Sequence, residues 1–492
     1  MSQNRAMTQP AVVIAGAGPT GLMLGAELTL ARVDVAVVEK KQDPERVGAG
    51  ALGLHARTLE VFDQRGIVGR FLEAGTPAQV NGFAGVRFDI SDFPSRHPYG
   101  LALAQKHTER ILQGWAQELG VPVLRGVEIT GFAEDSSGID VALSDGRTLR
   151  AQYLVGCDGG RSFVRKATGI GFPGADPTIS HLIAEARLTE TPGWGLRTDD
   201  IGNHAFSEVA DDGRVGILVT ERQIGTGEPT LADLRQGLIA HDGTDYGVHD
   251  PSWITRFTDM TRQAEAYRKG RVLLAGDAAH IHYPAGGFGI SLGVQDAVNL
   301  GWKLAEVVTG TAPDTLLDTY HAERHPVAAS LVRYTMATVA LGRHDERTKA
   351  LSSIVTELVG MPEARSRIAG EMSGLSIRYD LGEGHALLGR RMPDLDVTMT
   401  DGQRRVFSYL HRARPVVFNF GRPGNLDIDR WTDRVELADV TDNGAWELPV
   451  LGTVSAPSAV LVRPDGYVAW VGDGTSDGLA EALTTWFGPP SD

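Results

Sequence analysis

Short apolar runs recur along the chain and set out its framework. Ala11-Val-Val-Ile-Ala15 is β-branched and followed by Gly-rich sequence, which predicts a strand buried on both faces. Leu22 to Ala31 predicts a helix with small and apolar faces, and Val33 to Glu39 a second strand, so the three make one βαβ unit. Ile139 to Leu143 and Arg147 to Gln152 flank Asp145-Gly146, a hairpin signature, and Tyr153 to Gly156 predicts another strand. From about Pro173 to Arg271 strands dominate, with a hairpin expected across Asp211-Asp212-Gly213. Arg271 to Ala275 is again a buried strand. Ser291 to Val308 then carries Leu292, Val294, Ala297, Leu300, Leu304 and Val307 near helical spacing. Beyond a boundary near 389, Pro415 to Phe420, Ala459 to Arg463 and Tyr467 to Val471 predict strands, with Pro464-Asp-Gly466 as a turn. Leu479 to Phe487 predicts a closing amphipathic helix.

Composition removes several classes. A net charge of -15 argues against a nucleic-acid binder, and no run of 18 or more apolar residues predicts a membrane span. Arg5 ahead of Ala11 to Ala15 mimics a signal peptide, but that run is too short. The single cysteine, Cys157, rules out an intrachain disulfide and any multi-cysteine metal site, and is expected to be a packing residue in a cytoplasmic protein. Lysine and arginine are unequal, 7 against 40, and glycine reaches 60, which fits a compositional bias more than a function.

Chemistry enters with Gly16, Gly18 and Gly21, a G-x-G-x-x-G between strand and helix. Gly16 permits a tight turn, Gly18 lets backbone approach a pyrophosphate, and Gly21 lets helix and strand pack closely. Glu39, at the end of the second strand, is placed to accept hydrogen bonds from ribose hydroxyls. Thr20 and Lys40, beside these positions, complete this part of a dinucleotide site. The triplet alone does not choose between NAD and FAD.

Two later segments do. Cys157-Asp158-Gly159-Gly160-Arg161-Ser162 and Gly276-Asp277-Ala278-Ala279-His280 each follow a strand, and the second leads to Pro284-Ala-Gly-Gly-Phe-Gly289. Here the chain resembles the group A flavin-dependent aromatic hydroxylases, with the fold of para-hydroxybenzoate hydroxylase. The resemblance implies that Asp158 serves FAD and the nicotinamide cofactor, and that Asp277 binds FAD ribose. Gly287 and Gly289 would lie near the flavin, and Gln105, in Gln105-Lys-His-Thr-Glu109, beside FAD. Thr58 to Gly66 and the Cys157 segment resemble hydroxylases of bacterial aromatic polyketides, of anthracycline and angucyclinone type. That resemblance implies an α/β protein in three parts. They are a discontinuous Rossmann-like FAD-binding domain (1–172 and 271–388), a β-sheet-rich substrate domain (173–270) and a thioredoxin-like C-terminal domain (389–492). The last holds no cysteine, so it is structural, for packing or dimer formation.

The implied reaction is NAD(P)H reduction of FAD, addition of molecular oxygen, and hydroxylation of a polycyclic aromatic polyketide through a flavin hydroperoxide. Alternatives are Baeyer-Villiger insertion into such a polyketide, or a redox-inactive protein that binds it. Two departures from the family motivate the last: Gly50 stands where relatives commonly have an arginine for the FAD pyrophosphate, with Arg46 or Arg57 as compensating candidates. Phe288 and Ser291 replace a common Gln and Asn, and Phe288 is expected to show an aromatic face to the flavin. No catalytic or substrate-binding residue is assigned. No metal set is assigned either: His280 and His282 lack a third ligand, and His321-Ala-Glu-Arg-His325 has its acid out of place for a metalloprotease. His280 is expected at a loop or substrate edge. Arg404-Arg405 and Arg412 to Arg414 are expected to be solvated. The protein is expected to be a monomer or homodimer.

Overall fold

A computed structural model describes residues 9–45, 50–79, 82–83, 86–209, 213–284, 286–343, 345–399, 402–441 and 446–491. Its centre is a six-stranded sheet in the order Arg268–Lys269, Val272–Leu274, Tyr153–Gly156, Val12–Ala15, Val35–Glu39, Val123–Arg125. All neighbours are parallel except the first pair, and Val12 stands level with both Val35 and Tyr153. The β-branched runs are buried on both sides, as expected for strands between helices. Pro19–Leu30 and the 21-residue helix Phe288–Val308 pack on this sheet and on each other. The Asp145-Gly146 hairpin forms with Ile139 opposite Ala151.

Ser180–Arg187 and His249–Thr258 lie in a five-stranded antiparallel sheet with Gly195–Thr198, Asn203–Glu208 and Val215–Thr220. Asn203–Glu208 pairs with Val215–Thr220 as the hairpin reading requires, although residues 211 and 212 of its turn lie outside the described residues. The helix Leu231–Asp242 covers this sheet through Leu234 and Leu238.

Toward the C-terminus, Glu436–Asp439, Val416–Asn419, Ala459–Val462 and Val468–Gly472 form a four-stranded sheet, parallel at the first pair and antiparallel after it. It does not stand apart. Trp302 and Leu316 share one apolar cluster with Val417, Leu461, Leu483, Trp486 and Phe487. Beneath that cluster runs a polar one. Arg463, wholly buried, donates to both oxygens of Glu323 at 2.7 and 2.8 Å and to Asp465 at 2.6 Å. Lys303 reaches Glu323 at 2.9 Å, and Asn299 donates to Glu323 and Asp465. Despite burial, Arg463 and Lys303 hold the Glu323 carboxyl down at about 2.

The expected solvated arginines split. Arg404 and Arg412 are exposed. Arg405 instead pairs with Asp394 and reaches across to Asp63 at 2.5 Å, so it ties this region to the helix Ala56–Gln64. Arg405 keeps 39% of its side chain exposed, so it is part solvated while its guanidinium serves these two carboxylates.

Glu306, in the last turn of the long helix, gives a prediction of its own. Burial pushes its carboxyl up to about 7; Arg434 works against this and Asp433 with it. A raised carboxyl favours the fold while protonated, and that gain is lost as pH rises from the ordinary 4.5 through about 7. Glu306→Gln should therefore gain up to about 3 kcal/mol over the parent between about pH 4 and about pH 8. Paired thermal melts across that range check it.

Candidate functional site

Four adjacent parallel strands end on one rim of the sheet, and the sequence motifs sit there together. Val12–Ala15 leads to Gly16, Val35–Glu39 ends at Glu39, Tyr153–Gly156 leads to Asp158, and Val272–Leu274 leads to Asp277. The strand order reverses at Val12–Ala15, and the crevice outside such a switch point is where doubly wound sheets bind ligands.

The first loop is shaped by backbone crowding. Gly16 has φ +100°, and a Cβ there would lie 2.5 Å from the Cys157 carbonyl oxygen. A Cβ on Gly21 would overlap the Gly16 carbonyl oxygen. Gly18 differs: nothing lies within 4 Å of its Cβ position, so the loop is open on that side. Gly18 is also the N-cap of Pro19–Leu30, and it gives the helix no side-chain cap and no acid in the first turn. The first N–H groups of this helix have no intrahelical acceptor, so its N-terminus favours an anion. Glu39 accepts from Ala17 N at 2.8 Å and Lys41 N at 2.9 Å, which fixes its carboxylate beside the loop. Lys40 is exposed. Thr20 turns inward, its hydroxyl filling the space over Gly276 and Gly293.

Asp158 serves the fold on one oxygen: Oδ2 accepts from Phe163 N at 2.7 Å and Val164 N at 3.0 Å. Its Oδ1 is buried with no hydrogen-bond partner among the described residues. Arg165, which sequence reading did not single out, joins this loop to the next by donating to Gly160 O at 2.9 Å and Ala278 O at 2.8 Å. Cys157 packs beside Gly21, and burial pushes its thiol well up, as befits a packing residue.

Gln105 lies under the chain at Gly50. It accepts from Ala51 N at 3.0 Å and donates to Glu109 at 2.6 Å. A Cβ on Gly50 would come 2.7 Å from the Gln105 Cβ. The glycine thus allows close passage over Gln105; it is not simply a missing arginine. Of the two candidate substitutes, Arg46 lies outside the described residues, and Arg57 is committed to Glu60 and to the carbonyls of Gly374 and Leu375. Gly50→Arg should displace Gln105 and lower flavin occupancy, read as the ratio of flavin to protein absorbance after purification.

Asp277 is exposed and makes no hydrogen bond or ion pair among the described residues. Its loop is held from below by Asp296 on the long helix. Asp296 accepts from Gly276 N at 3.1 Å, from His280 Nε2 at 2.7 Å and from Arg324 Nε at 2.7 Å. Burial raises this carboxyl, yet Arg324 and His280 outweigh burial and bring it to about 2. His280 is therefore a buried support and not a substrate-edge residue.

Gly286 and Gly287 both have positive φ, and the long helix begins at Phe288, so Gly289 and Ser291 belong to its first turn. Phe288 does not present a free aromatic face. It is buried and stacks on His55 with centroids 4.4 Å apart and planes at 4°. His55 Nε2 donates to Gly286 O at 2.7 Å, and His55 N donates to Ser291 Oγ at 3.4 Å.

Tyr283, just ahead of this loop in the chain, belongs to a pair that sequence reading missed. His181, on the five-stranded sheet, is buried between Thr220 Oγ1 at 3.0 Å and the Tyr283 hydroxyl at 3.2 Å. Thr220 spends its own proton on Asn203 O at 2.8 Å, so it accepts from His181 Nδ1. His181 Nε2 is then the acceptor for the Tyr283 hydroxyl. Burial pushes His181 down to about 4 and Tyr283 upward, so both are neutral near pH 7. Phe257 stacks on His181 with centroids 4.9 Å apart. The two partners are 102 positions apart, and nothing local marks either one.

Comparison with known proteins gives the chain its family. A family profile described as an FAD binding domain matches residues 9–335, and one described as an aromatic-ring hydroxylase C-terminal region matches residues 385–490. The chain is 44% identical to the 12-dehydrotetracycline 5-monooxygenase/anhydrotetracycline 6-monooxygenase of Streptomyces rimosus, over 98% of this chain and 99% of that one. It is 42% identical to a rifampicin monooxygenase of Streptomyces venezuelae, over 97% and 98% respectively. The solved structure of OxyS anhydrotetracycline hydroxylase from Streptomyces rimosus superposes with a TM-score of 0.91 at 43% identity, covering 98% of this chain and 100% of that one. With these profiles matched over most of its length and relatives more than 40% identical along nearly all of it, the chain belongs to the FAD-dependent aromatic-ring monooxygenases.

Proposed function

We propose that this enzyme hydroxylates a polycyclic aromatic polyketide, with molecular oxygen as oxidant and NAD(P)H as reductant, in the cytoplasm. The observation that carries the reading is the rim where Gly16, Glu39, Asp158 and Asp277 meet, with Tyr283, the partner of His181, following Asp277 in the same chain segment. Polyketide substrates are named for relatives more than 40% identical over nearly the whole chain. FAD, when bound, supplies the electron transfer and oxygen activation.

The remaining work falls to the protein. The backbone N–H groups of Gly18, Thr20 and Gly21 would hold the pyrophosphate, those of Gly16 and Ala17 being bound to Val38 O and Glu39, while Glu39 and Lys40 would serve the adenosine side. Asp277 takes a ribose hydroxyl, the Oδ1 of Asp158 faces the cofactor, and Gln105 supports it from the Ala51 side. Gly287 and Gly289 leave room for the flavin. Tyr283 is a positioning residue: its hydroxyl, whose own proton is held by His181 Nε2, would accept a hydrogen bond from a substrate phenol and orient it. We also infer the division into 1–172 with 271–388, 173–270 and 389–492. The order of the last sheet, one parallel pair flanked by two antiparallel strands, supports a thioredoxin-like tail.

Turnover with an aromatic polyketide under labelled oxygen tests the reading. Stimulated NAD(P)H oxidation with one labelled hydroxyl in the product is expected. Ring insertion would replace it with the Baeyer-Villiger alternative, and tight polyketide binding without NAD(P)H oxidation would leave a binding protein. Tyr283→Phe should lower kcat about a hundredfold while flavin occupancy stays unchanged. Steady-state rates beside flavin absorbance check this.

A further inference from the structure

The outer part of the five-stranded sheet holds a cluster that the oxygenation chemistry does not use. Asp199 lies just before the strand Asn203–Glu208, His204 is on that strand, and His241 and Asp242 end the helix Leu231–Asp242. One ligand atom from each of Asp199, His204 and His241 falls within 4.8 Å of the others. His204 is only 4% exposed, yet neither of its ring nitrogens has a hydrogen bond among the described residues.

Donor chemistry makes the arrangement pointed. His241 Nε2 lies 2.9 Å from the Thr220 carbonyl oxygen, which can only accept, so Nε2 carries a proton. His241 Nδ1 then turns its lone pair toward Asp199 Oδ2, 2.7 Å away. Two acceptors face each other unless a cation or a second proton joins them. The same carboxylate oxygen lies 3.9 Å from His204 Nδ1, and Asp242 Oδ1 lies 3.3 Å from His204 Nε2. Asp199 Oδ1 is held by the N–H groups of Ile201 and Gly202 at 2.8 and 3.1 Å. A backbone carbonyl fixing the histidine tautomer and backbone donors fixing the carboxylate are the outer-shell supports of a metal site.

Charge agrees. Asp199 and Asp242 bring two negative charges, and Arg197, 3.0 Å from Asp242, offsets one. Two imidazoles and a carboxylate suit zinc or another first-row divalent ion, with water as the fourth ligand and Asp242 as the outer partner of His204 Nε2.

We propose that Asp199, His204 and His241 bind a divalent transition-metal ion of the zinc type. The site is structural: Thr220, whose carbonyl orients His241, also accepts from His181 through its hydroxyl, so the ion buttresses the strand behind the His181–Tyr283 pair.

The test uses the whole protein, stripped with chelator and titrated with Zn²⁺ and, separately, Co²⁺. Expected are about one ion bound per chain, a raised thermal midpoint, and Co²⁺ absorption bands of tetrahedral nitrogen–oxygen coordination. His204→Gln and Asp199→Asn should each weaken binding by at least about tenfold. Wild-type protein that binds no ion, or binds it as well as His204→Gln does, overturns the proposal and leaves a protonated His241 joining the cluster. Should the variants fail to fold, the wild-type stoichiometry and Co²⁺ spectrum still decide.

Discussion

Arg463→Ala is expected to be the most destabilising single change in this protein, by about 3–5 kcal/mol. Its guanidinium is wholly buried, shared between Glu323 and Asp465, and ringed by Trp302, Tyr379, Tyr467 and Trp486. Alanine would leave two buried carboxylates with Lys303 as the nearest cation, and would open a cavity among the aromatic rings. The cost comes from the uncompensated charge, so neutralising the whole group should hurt less. Arg463→Met combined with Glu323→Gln and Asp465→Asn should recover much of the loss. Urea unfolding of the two variants and the parent checks the order, and early proteolysis of the C-terminal region should accompany the single change.

Gly16→Ala should have the largest effect on the cofactor. Its φ of +100° costs an L-residue about 1–2 kcal/mol, and the 2.5 Å approach to the Cys157 carbonyl adds about 1–3 kcal/mol of overpacking. If the loop relieves this by moving, its N–H groups lose their aim, and FAD affinity should fall roughly thirtyfold to several thousandfold. Gly18→Ala is the instructive partner. Its Cβ meets nothing in the protein, so stability should hold, yet it stands where a pyrophosphate would lie. Flavin fluorescence titration beside thermal melts separates the two: Gly16→Ala should lose both properties and Gly18→Ala affinity alone.

Much of the rim was legible in the sequence because its signals are local. Gly16, Glu39, Asp158 and Asp277 each stand at or just after a β-branched run, so pattern alone places them at strand ends, and parallel pairing puts strand ends on one side. The long helix and the closing Leu479–Phe487 helix are read from periodicity for the same reason. Contacts between distant segments escape such reading. Gly50 looks like a lost contact until Gln105 is seen beneath it, and Phe288 looks like a flavin neighbour until His55 covers its face. Asp296 gives no sign in the sequence that it holds the Gly276 turn, because its partners reach it from three elements. His181 and Tyr283 remain hidden for the plainer reason that neither belongs to a motif. Arg405 shows the limit of reading charge from composition: one register step separates a solvated arginine from one clamped to Asp63.

The buried polar joint around Arg463 also decides how this scaffold can be recombined. A tail exchanged among relatives at the start of the C-terminal region would carry Arg463 and Asp465 but leave Glu323, Lys303 and Asn299 behind. Each half keeps an ion pair of its own, but the Arg463–Glu323 and Asn299–Asp465 bonds cross the junction, so grafts keep the whole joint only when donor and recipient agree at all five positions. The tail is thus a matched insert, keyed to the same helix whose first turn follows Gly286 and Gly287.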